Sequence, residues 1–269
     1  MQYTPDDHVF AICAYKESEF LETCVLSLRQ QSIPARMIMC TATPNDHISA
    51  IAEKYEIPLF INRGPHGIAE DWNFAMACAE GRLLTLAHQD DVYDPDYLRR
   101  MLAAVNGAKR PLIAFSDYYE VRNGEKVYSD RDRLLKIKEI ALIPLRPRIF
   151  QSSVWMRRRV LSTCDPICCP SVTFVRENLP EVVFEAHFKS CLDWQAWEKL
   201  SRLPGSFCYV HEPLMGHRIH AGSATTEIIG DDLGRSSEDL EMYEKFWPKP
   251  IARLINRFYA AGQKSNALK

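Results

Sequence analysis

The sequence predicts an α/β protein: a mostly parallel central sheet flanked by helices, with an elaboration in the second half. Three observations predict it. Short apolar runs alternate with segments of helical periodicity through the first half of the chain, the pattern of strands covered on both faces. One such run, Leu83 to Ala87, stops at His88-Gln89-Asp90-Asp91, and open α/β sheets bind ligands at the carboxyl ends of their strands. The chain has 269 residues, 46% of them apolar, enough for one large α/β domain with a C-terminal appendage.

The elements follow in order. Val9 to Ala14 reads as the first strand. Ser18 is placed to cap a helix in which Leu21, Cys24, Val25 and Leu28 recur at helical spacing. Met37 to Thr41 reads as the second strand, and Asn45 caps a helix through Ile48, Ile51, Ala52 and Tyr55. Leu59 to Ile61 is a third, short strand. Gly64, Pro65 and Gly67 mark a loop before a helix carrying Ile68, Trp72, Ala75, Met76 and Ala79. Leu83 to Ala87 is the fourth strand, with Asp94 as N-cap and Pro95 at the first position of the next helix. Leu112 to Phe115 is the fifth strand, and the Asn123-Gly124 pair predicts a hairpin. Leu134 to Leu145 reads as an amphipathic helix, Val172 to Val175 and Phe207 to Val210 as strands, and Asp193 to Leu203 as a helix. The expected organisation is a domain over residues 1–225 and a basic, helical extension over 226–269.

Composition narrows the function. A formal net charge of −2 gives no footprint for nucleic acid. The nine cysteines lack a framework of paired spacings, and Cys13, Cys24, Cys40 and Cys78 lie within apolar periodic segments, so a reducing cytoplasm is expected. The N-terminus lacks the plan of a signal peptide, and no apolar run reaches the length of a membrane span. From Lys245 onward the chain is basic, with Phe246, Trp247, Ile251, Leu254, Ile255 and Phe258 interleaved. That composition suits either peripheral contact with the inner face of an anionic membrane or a terminal helix docked on the body.

Three constellations carry chemistry. Asp90 and Asp91 are adjacent carboxylates at a strand end, and such a pair is tolerated where a hard divalent ion, Mn2+ or Mg2+, sits with them and carries a diphosphate. His88 adds an imidazole, which manganese accepts more readily than magnesium does. Asp193 lies among Cys191, Leu192 and Trp194; apolar neighbours desolvate a carboxyl and raise its pKa toward that of a general base, although an N-cap role explains the position equally well. His217-Arg218-Ile219-His220 sets imidazoles and a guanidinium on one side of a short strand or turn, suited to a leaving diphosphate or its metal, or else to a plain surface loop. The basic stretch Arg146, Arg148, Arg157, Arg158 and Arg159 suits either a phosphate-bearing acceptor or a solvated face.

Taken in order, these blocks make the chain similar to the family 2 glycosyltransferases of the GT-A fold over roughly residues 8 to 225. Ala14-Tyr15-Lys16-Glu17 with Leu21 to Gln31 resembles the opening strand and helix. Gly67 to Gly81 with Asn73 resembles the Gly…Arg-Asn…Ala…Gly block, His88-Gln89-Asp90-Asp91 the Asp-Xaa-Asp-Asp block, and Leu192-Asp193-Trp194 with His217-Arg218-Ile219-His220 the acceptor-side base and late histidine motif. The resemblance implies inverting transfer from a nucleotide diphosphate sugar to a saccharide or lipid-linked acceptor, in the making of surface polysaccharide or another glycan. It implies donor contacts from Ala14, Tyr15, Glu17, Thr41, Asn73, His88, Gln89 and Asp90, and a divalent metal on Asp91, Asp90 and His217. It further implies proton abstraction by Asp193, and acceptor or phosphate contacts from Trp194, Arg218 and His220. Three positions depart from the family pattern. The second strand ends Cys40-Thr41-Ala42-Thr43 rather than Asp-Asp-Xaa-Ser/Thr, Trp72 replaces the Arg of the Arg-Asn pair, and His88 replaces the first Asp of Asp-Xaa-Asp. The alternative is a catalytically silent nucleotide-binding or partner subunit of the same fold. A sugar-nucleotide pyrophosphorylase would need a Gly-rich basic loop after the first strand, where this chain has Ala14-Tyr15-Lys16-Glu17.

Overall fold

A computed structural model describes residues 2–220 and 232–257. Its sheet has nine strands: β1 (His8–Ala14), β2 (Arg36–Thr41), β3 (Leu59–Ile61), β4 (Leu83–His88), β5 (Val92–Tyr93), β6 (Pro111–Arg122), β7 (Glu125–Val127), β8 (Val172–Val175) and β9 (Ser206–Ile219). The order is β3-β2-β1-β4-β8-β6-β9-β5, with β7 hairpinned onto β6. β1 pairs in parallel with β2 and β4, and β6 with β9, whereas β8 runs antiparallel between β4 and β6. The sheet is therefore mixed and mostly parallel. The antiparallel insertion was not readable from Val172 to Val175, because a short run buried on both faces looks the same in either direction.

Alternation along the strands divides the core. Val9 and Ala11 of β1, with Leu84 and Leu86 of β4, face one cluster; Phe10, Ile12 and Ala14, with Leu83 and Ala87, face the other. The second cluster is closed by α1 (Leu21–Arg29), α2 (Asp46–Lys54) and α4 (Tyr97–Asn106). The first is closed by α3 (Ile68–Cys78), α7 (Val154–Leu161) and α8 (Leu192–Ser201). Met242 and Tyr243 of α9 (Asp232–Glu244), and Ala252 of a final helix over residues 249–257, are fully buried in that same cluster. The C-terminal helices thus complete the main core. All nine cysteines are free.

Several boundaries shift. The helix expected to start at Pro95 starts at Tyr97, and Asp96 stands at its N-cap; Asp94 offers its carbonyl, not its side chain, to Tyr97 N. Helix α1 starts at Leu21 with Phe20 before it, and Ser18 closes a turn ahead of it. Asn45 caps α2 as expected, accepting from Ile48 N at 2.9 Å. The hairpin at Asn123-Gly124 is present, with φ of 51° and 83°, the left-handed pair that a two-residue turn requires. Between β7 and β8 lie α5 (Arg133–Leu142), the short α6 (Arg148–Gln151) and α7. The last strand is far longer than Phe207 to Val210, and His217 to Ile219 form its end.

Candidate active site

Parallel pairing brings the ends of β1, β2 and β4 to one edge of the sheet. Ala14 is level with Thr41, and Cys13 with His88. The turns after these strands are stitched by side chains. Gln89 accepts from Tyr15 N at 2.9 Å and donates to Tyr15 O at 2.8 Å. Thr41 Oγ1 accepts from Thr43 N, and Thr43 Oγ1 accepts from Lys16 N at 2.6 Å. Lys16 is thereby held at φ 53°, a left-handed conformation costly for a residue with a Cβ. Gln89 and the buried Thr41 hold backbone rather than face a ligand, whereas Tyr15 and Glu17 are exposed beside the buried Ala14.

The acidic pair meets the late histidines through β5. Val92 pairs with Gly216, so the residues next to them, Asp91 and His217, come together. A Cβ at Gly216 would lie 2.4 Å from the Tyr119 ring and 2.9 Å from Val92 Cγ2; only glycine lets the strands approach this closely. Asp91 is fully buried. Its Oδ1 accepts from Arg218 N at 2.9 Å and lies 3.1 Å from His217 Nδ1. Burial works against the charge of both partners, but each favours the ion of the other: Asp91 is held below the ordinary carboxylate range and His217 above the ordinary imidazole value. Asp90 Oδ2 lies 3.0 Å from His220 Nε2, and Arg218 Nε donates to Asp90 O at 2.8 Å. The Arg218 guanidinium lies over the Phe20 ring at 4.3 Å, and Phe20 also touches His220. Phe20 was not expected here; it precedes the helical periodicity and reads as a plain apolar residue.

Two atoms in this cluster are shut off from solvent without a hydrogen-bond partner: Asp91 Oδ2 and His88 Nε2. Buried polar atoms are ordinarily satisfied, so these two ask for a partner, although Arg157 Nε and Ser116 Oγ elsewhere in the core are left in the same state. His88 stacks on Trp72 with ring centroids 4.9 Å apart, and Trp72 in turn meets Phe184. Two of the three departures from the family pattern, at positions 72 and 88, thus touch. Burial keeps His88 below the usual histidine value despite its acidic neighbours. Among the described residues, no three His, Cys, Asp or Glu side chains converge to enclose an ion. The donor set suits a cation that takes one or two carboxylate oxygens and completes its shell with phosphate and water, as Mg2+ and Mn2+ do.

Asp193 is the second residue of α8 and half-buried; its Oδ1 accepts from Trp194 N at 2.9 Å. Two expected contacts are corrected. Trp194 is buried, donates Nε1–H to Leu161 O, and packs against Tyr243 and Phe246, so it belongs to the core and not to an acceptor. Asn73 spends its amide on the 183–184 segment, donating to Phe184 O and accepting from Val183 N and Phe184 N. It shapes the pocket only by holding Phe184 against Trp72. Asp165 is a carboxyl that burial and the charge of Asp193 push well above the ordinary carboxylate range, and Lys138 Nζ lies 5.5 Å from the centroid of the Tyr118 ring. Neither was expected, yet one signal existed: Lys138 shares a helix face with Leu135 and Leu142, a lysine on an apolar stripe.

A model of the family described as "Glycosyl transferase family 2" matches residues 9–164. Among solved structures, the chain is similar to S. aureus TarS 1-349 in complex with UDP-GlcNAc, at 14% identity and a TM-score of 0.63, covering 93% of this chain and 70% of that one. It is also similar to the mannosyltransferase PcManGT from Pyrobaculum calidifontis in complex with GDP-Man and Mn2+, at 13% identity and a TM-score of 0.58, covering 94% and 69%. No curated protein matches the chain in sequence. At these identities the likeness concerns the fold.

Proposed function

The chain belongs to glycosyl transferase family 2, and on that premise we infer that it moves a sugar from a nucleotide diphosphate sugar to a saccharide or lipid-linked acceptor, with inversion and with a divalent ion, in the assembly of a surface polysaccharide or other glycan. The observation that carries this reading is the buried Asp91 Oδ2, without a hydrogen-bond partner and 3.9 Å from His88 Nδ1, beside Asp90 at the joined ends of β1, β2 and β4. Structures of the same fold hold UDP-GlcNAc in one case and GDP-Man with Mn2+ in another. Asp91 Oδ2 and Asp90 would hold the ion, whose positive charge opposes the charge developing on the departing diphosphate. His217 and Arg218 fix the plane of Asp91. Arg218 and His220 stand beside Asp90 on the phosphate side. Tyr15 offers an exposed ring to the nucleobase, and Glu17 lies next to it. Asp193 takes the proton of the acceptor hydroxyl as that oxygen attacks the anomeric carbon from the face opposite the phosphate.

The acceptor is met at an anionic membrane surface. The support for this lies in α5 to α7 rather than in the tail alone. Leu134, Ile137 and Ile140 are exposed at successive three-residue steps of α5, and Ile149 and Trp155 are 77% and 64% exposed among Arg146, Arg148 and Arg159. In the expected tail segment, Phe246, Trp247 and Ile255 pack on the body while Ile251 and Leu254 face outward; residues 258–269 lie outside the described ones. No helix among the described residues is long and apolar enough to cross a membrane.

The test is a paired assay of Asp193→Asn and Asp91→Ala. The first is expected to bind nucleotide sugar normally and lose transfer by 10²-fold or more, roughly the contribution of a general base. The second is expected to lose metal-dependent binding itself. Near-normal turnover by Asp193→Asn overturns the base assignment.

A further inference from the structure

We propose that Asp71 reads the nucleobase of the donor by accepting a ring N–H from the base edge, so that the site takes uracil or guanine nucleotides and rejects those of cytosine and adenine. The proposal rests on the donor reading above and adds the class of base to it.

Its ground is the way the start of α3 spans the strand ends. β3, β2, β1 and β4 are successive neighbours in the sheet, so β3 and β4 stand three strand spacings apart, about 14 Å. Trp72 stacks on His88, the last residue of β4. Asp71, the residue before it, reaches the opposite end of this row. Its Oδ1 accepts from Asn62 Nδ2 at 2.7 Å, and Asn62 N donates to Thr41 O at 2.8 Å, just past the last pair of β2 with β3. Two adjacent residues of one helix therefore touch both ends of the row. β1 lies between them, and Tyr15 follows its last residue with an exposed ring. With the diphosphate held at Asp90 and Asp91 beyond β4, a base stacked on Tyr15 turns its outer edge toward β2 and β3, where Asp71 stands.

Asn62 sets the aim of that carboxylate. It is buried, its Oδ1 accepts from Gly64 N at 2.9 Å, and its Nδ2 also donates to Pro65 O at 3.0 Å. Turning the amide over would break all three contacts, so a donor always faces Asp71 Oδ1. Asp71 is half-buried, and no donor among the described residues is bonded to its Oδ2. The end of β2 offers threonine hydroxyls instead, and those of Thr41 and Thr43 hold Thr43 N and Lys16 N. A carboxylate only accepts hydrogen bonds, and those it accepts are strong. Uracil presents N3–H and guanine N1–H on the edge away from the sugar. Cytosine N3 and adenine N1 carry a lone pair there, which would leave two acceptors facing each other unpaired.

Calorimetry of the full chain with UDP, GDP, CDP and ADP at fixed Mn2+ tests the assignment. UDP or GDP is expected to bind about tenfold or more tightly than CDP and ADP. In Asp71→Asn the new amide oxygen stays on Asn62 Nδ2 and its NH2 takes the place of Oδ2, so an acceptor becomes a donor. Binding of UDP or GDP is expected to weaken about tenfold, and CDP or ADP to overtake it. Asp71→Ala is expected to abolish the preference without inverting it. Melting temperatures show whether each variant is folded, and a merely structural Asp71 would weaken all four nucleotides alike. An unchanged ranking in Asp71→Asn, an equal loss for all four, or a preference of the unaltered protein for CDP or ADP overturns the proposal and leaves the donor reading standing. Absence of binding by all four to the unaltered protein overturns both.

Discussion

One carboxylate divides its two oxygens between different tasks. Asp91 Oδ1 is fixed by Arg218 N and His217, while Oδ2 is buried with no hydrogen-bond partner, 3.9 Å from His88 Nδ1. Holding one oxygen leaves the other aimed, which is how a neighbouring shell orients a metal ligand. His217→Ala is therefore expected to weaken metal-dependent donor binding roughly 10-fold or more without unfolding the chain, measurable as a rise in Kd at fixed Mn2+. An unchanged Kd removes His217 from the orienting role. At this scale the sequence was informative where charge density was unusual: Asp90, Asp91, Arg218 and His220 come together as their types suggested. It misled where a polar or aromatic group turned inward. Trp194 and Asn73 resemble ligand contacts in a linear pattern, but their hydrogen bonds are taken by Leu161 and by the 183–184 backbone, which no local spacing records. Trp72 and His88, two of the positions that depart from the family pattern, are joined by an indole–imidazole stack.

Single elements set where these groups stand. β5 has only two residues, yet its pairing with β9 joins Asp91 to His217, and that pairing depends on the missing side chain at Gly216. Gly216→Ala places a methyl inside the Tyr119 ring contact; overpacking of this kind costs about 1–3 kcal/mol. A lower melting temperature together with weakened donor binding is expected, and normal values of both would show that the strands can separate without consequence. Helix α8 depends on a partner far along the chain. Glu238 of α9 accepts from Lys189 N, Ser190 N and Cys191 N at 2.8–3.0 Å and from Ser190 Oγ at 2.7 Å, so it caps the entry to the helix that carries Asp193. Burial opposes the charge of Glu238, but these four donors outweigh it and hold its pKa below the ordinary 4.5. A depressed carboxylate stabilises the fold above its unfolded pKa and ceases to do so as pH falls through the folded value. Glu238→Gln is thus expected to lower stability by about 1 kcal/mol at neutral pH. Melting curves taken from neutral to acidic pH should show the variant's deficit shrinking below the ordinary value; a constant deficit would contradict the ionic cap. Most strands and helices up to β6 were legible from periodicity, whereas the two-residue β5, α6 and α7 were not, nor the length of β9, because Glu212 and Pro213 interrupt the apolar pattern in mid-strand.

Across the whole molecule, core and site are built by the same long-range pairings. The mostly parallel half of the sheet gathers the strand ends, and the late chain returns through β9 and α9 to complete what the first half began. Residues 226–269 were expected as an extension, either in contact with a membrane or docked on the body, and the described part of them packs into the main core through Met242, Tyr243 and Ala252. Which of the two a basic, apolar-interleaved tail does depends on tertiary partners, which composition does not record. The membrane reading belongs to this scale too. Replacing Ile137 and Trp155 by serine is expected to reduce sedimentation with anionic lipid vesicles about tenfold and to leave neutral vesicles unaffected; equal binding by the variant would move the contact away from α5 to α7. The most direct measurement is calorimetry of the full chain with UDP- and GDP-sugars, with and without Mn2+. Saturable binding of at least one nucleotide sugar that requires the ion and is lost in Asp91→Ala is the predicted result. Absence of any nucleotide binding, or binding indifferent to both the ion and Asp91, would contradict a metal-assisted sugar transfer at this strand edge and favour a silent subunit of the same fold.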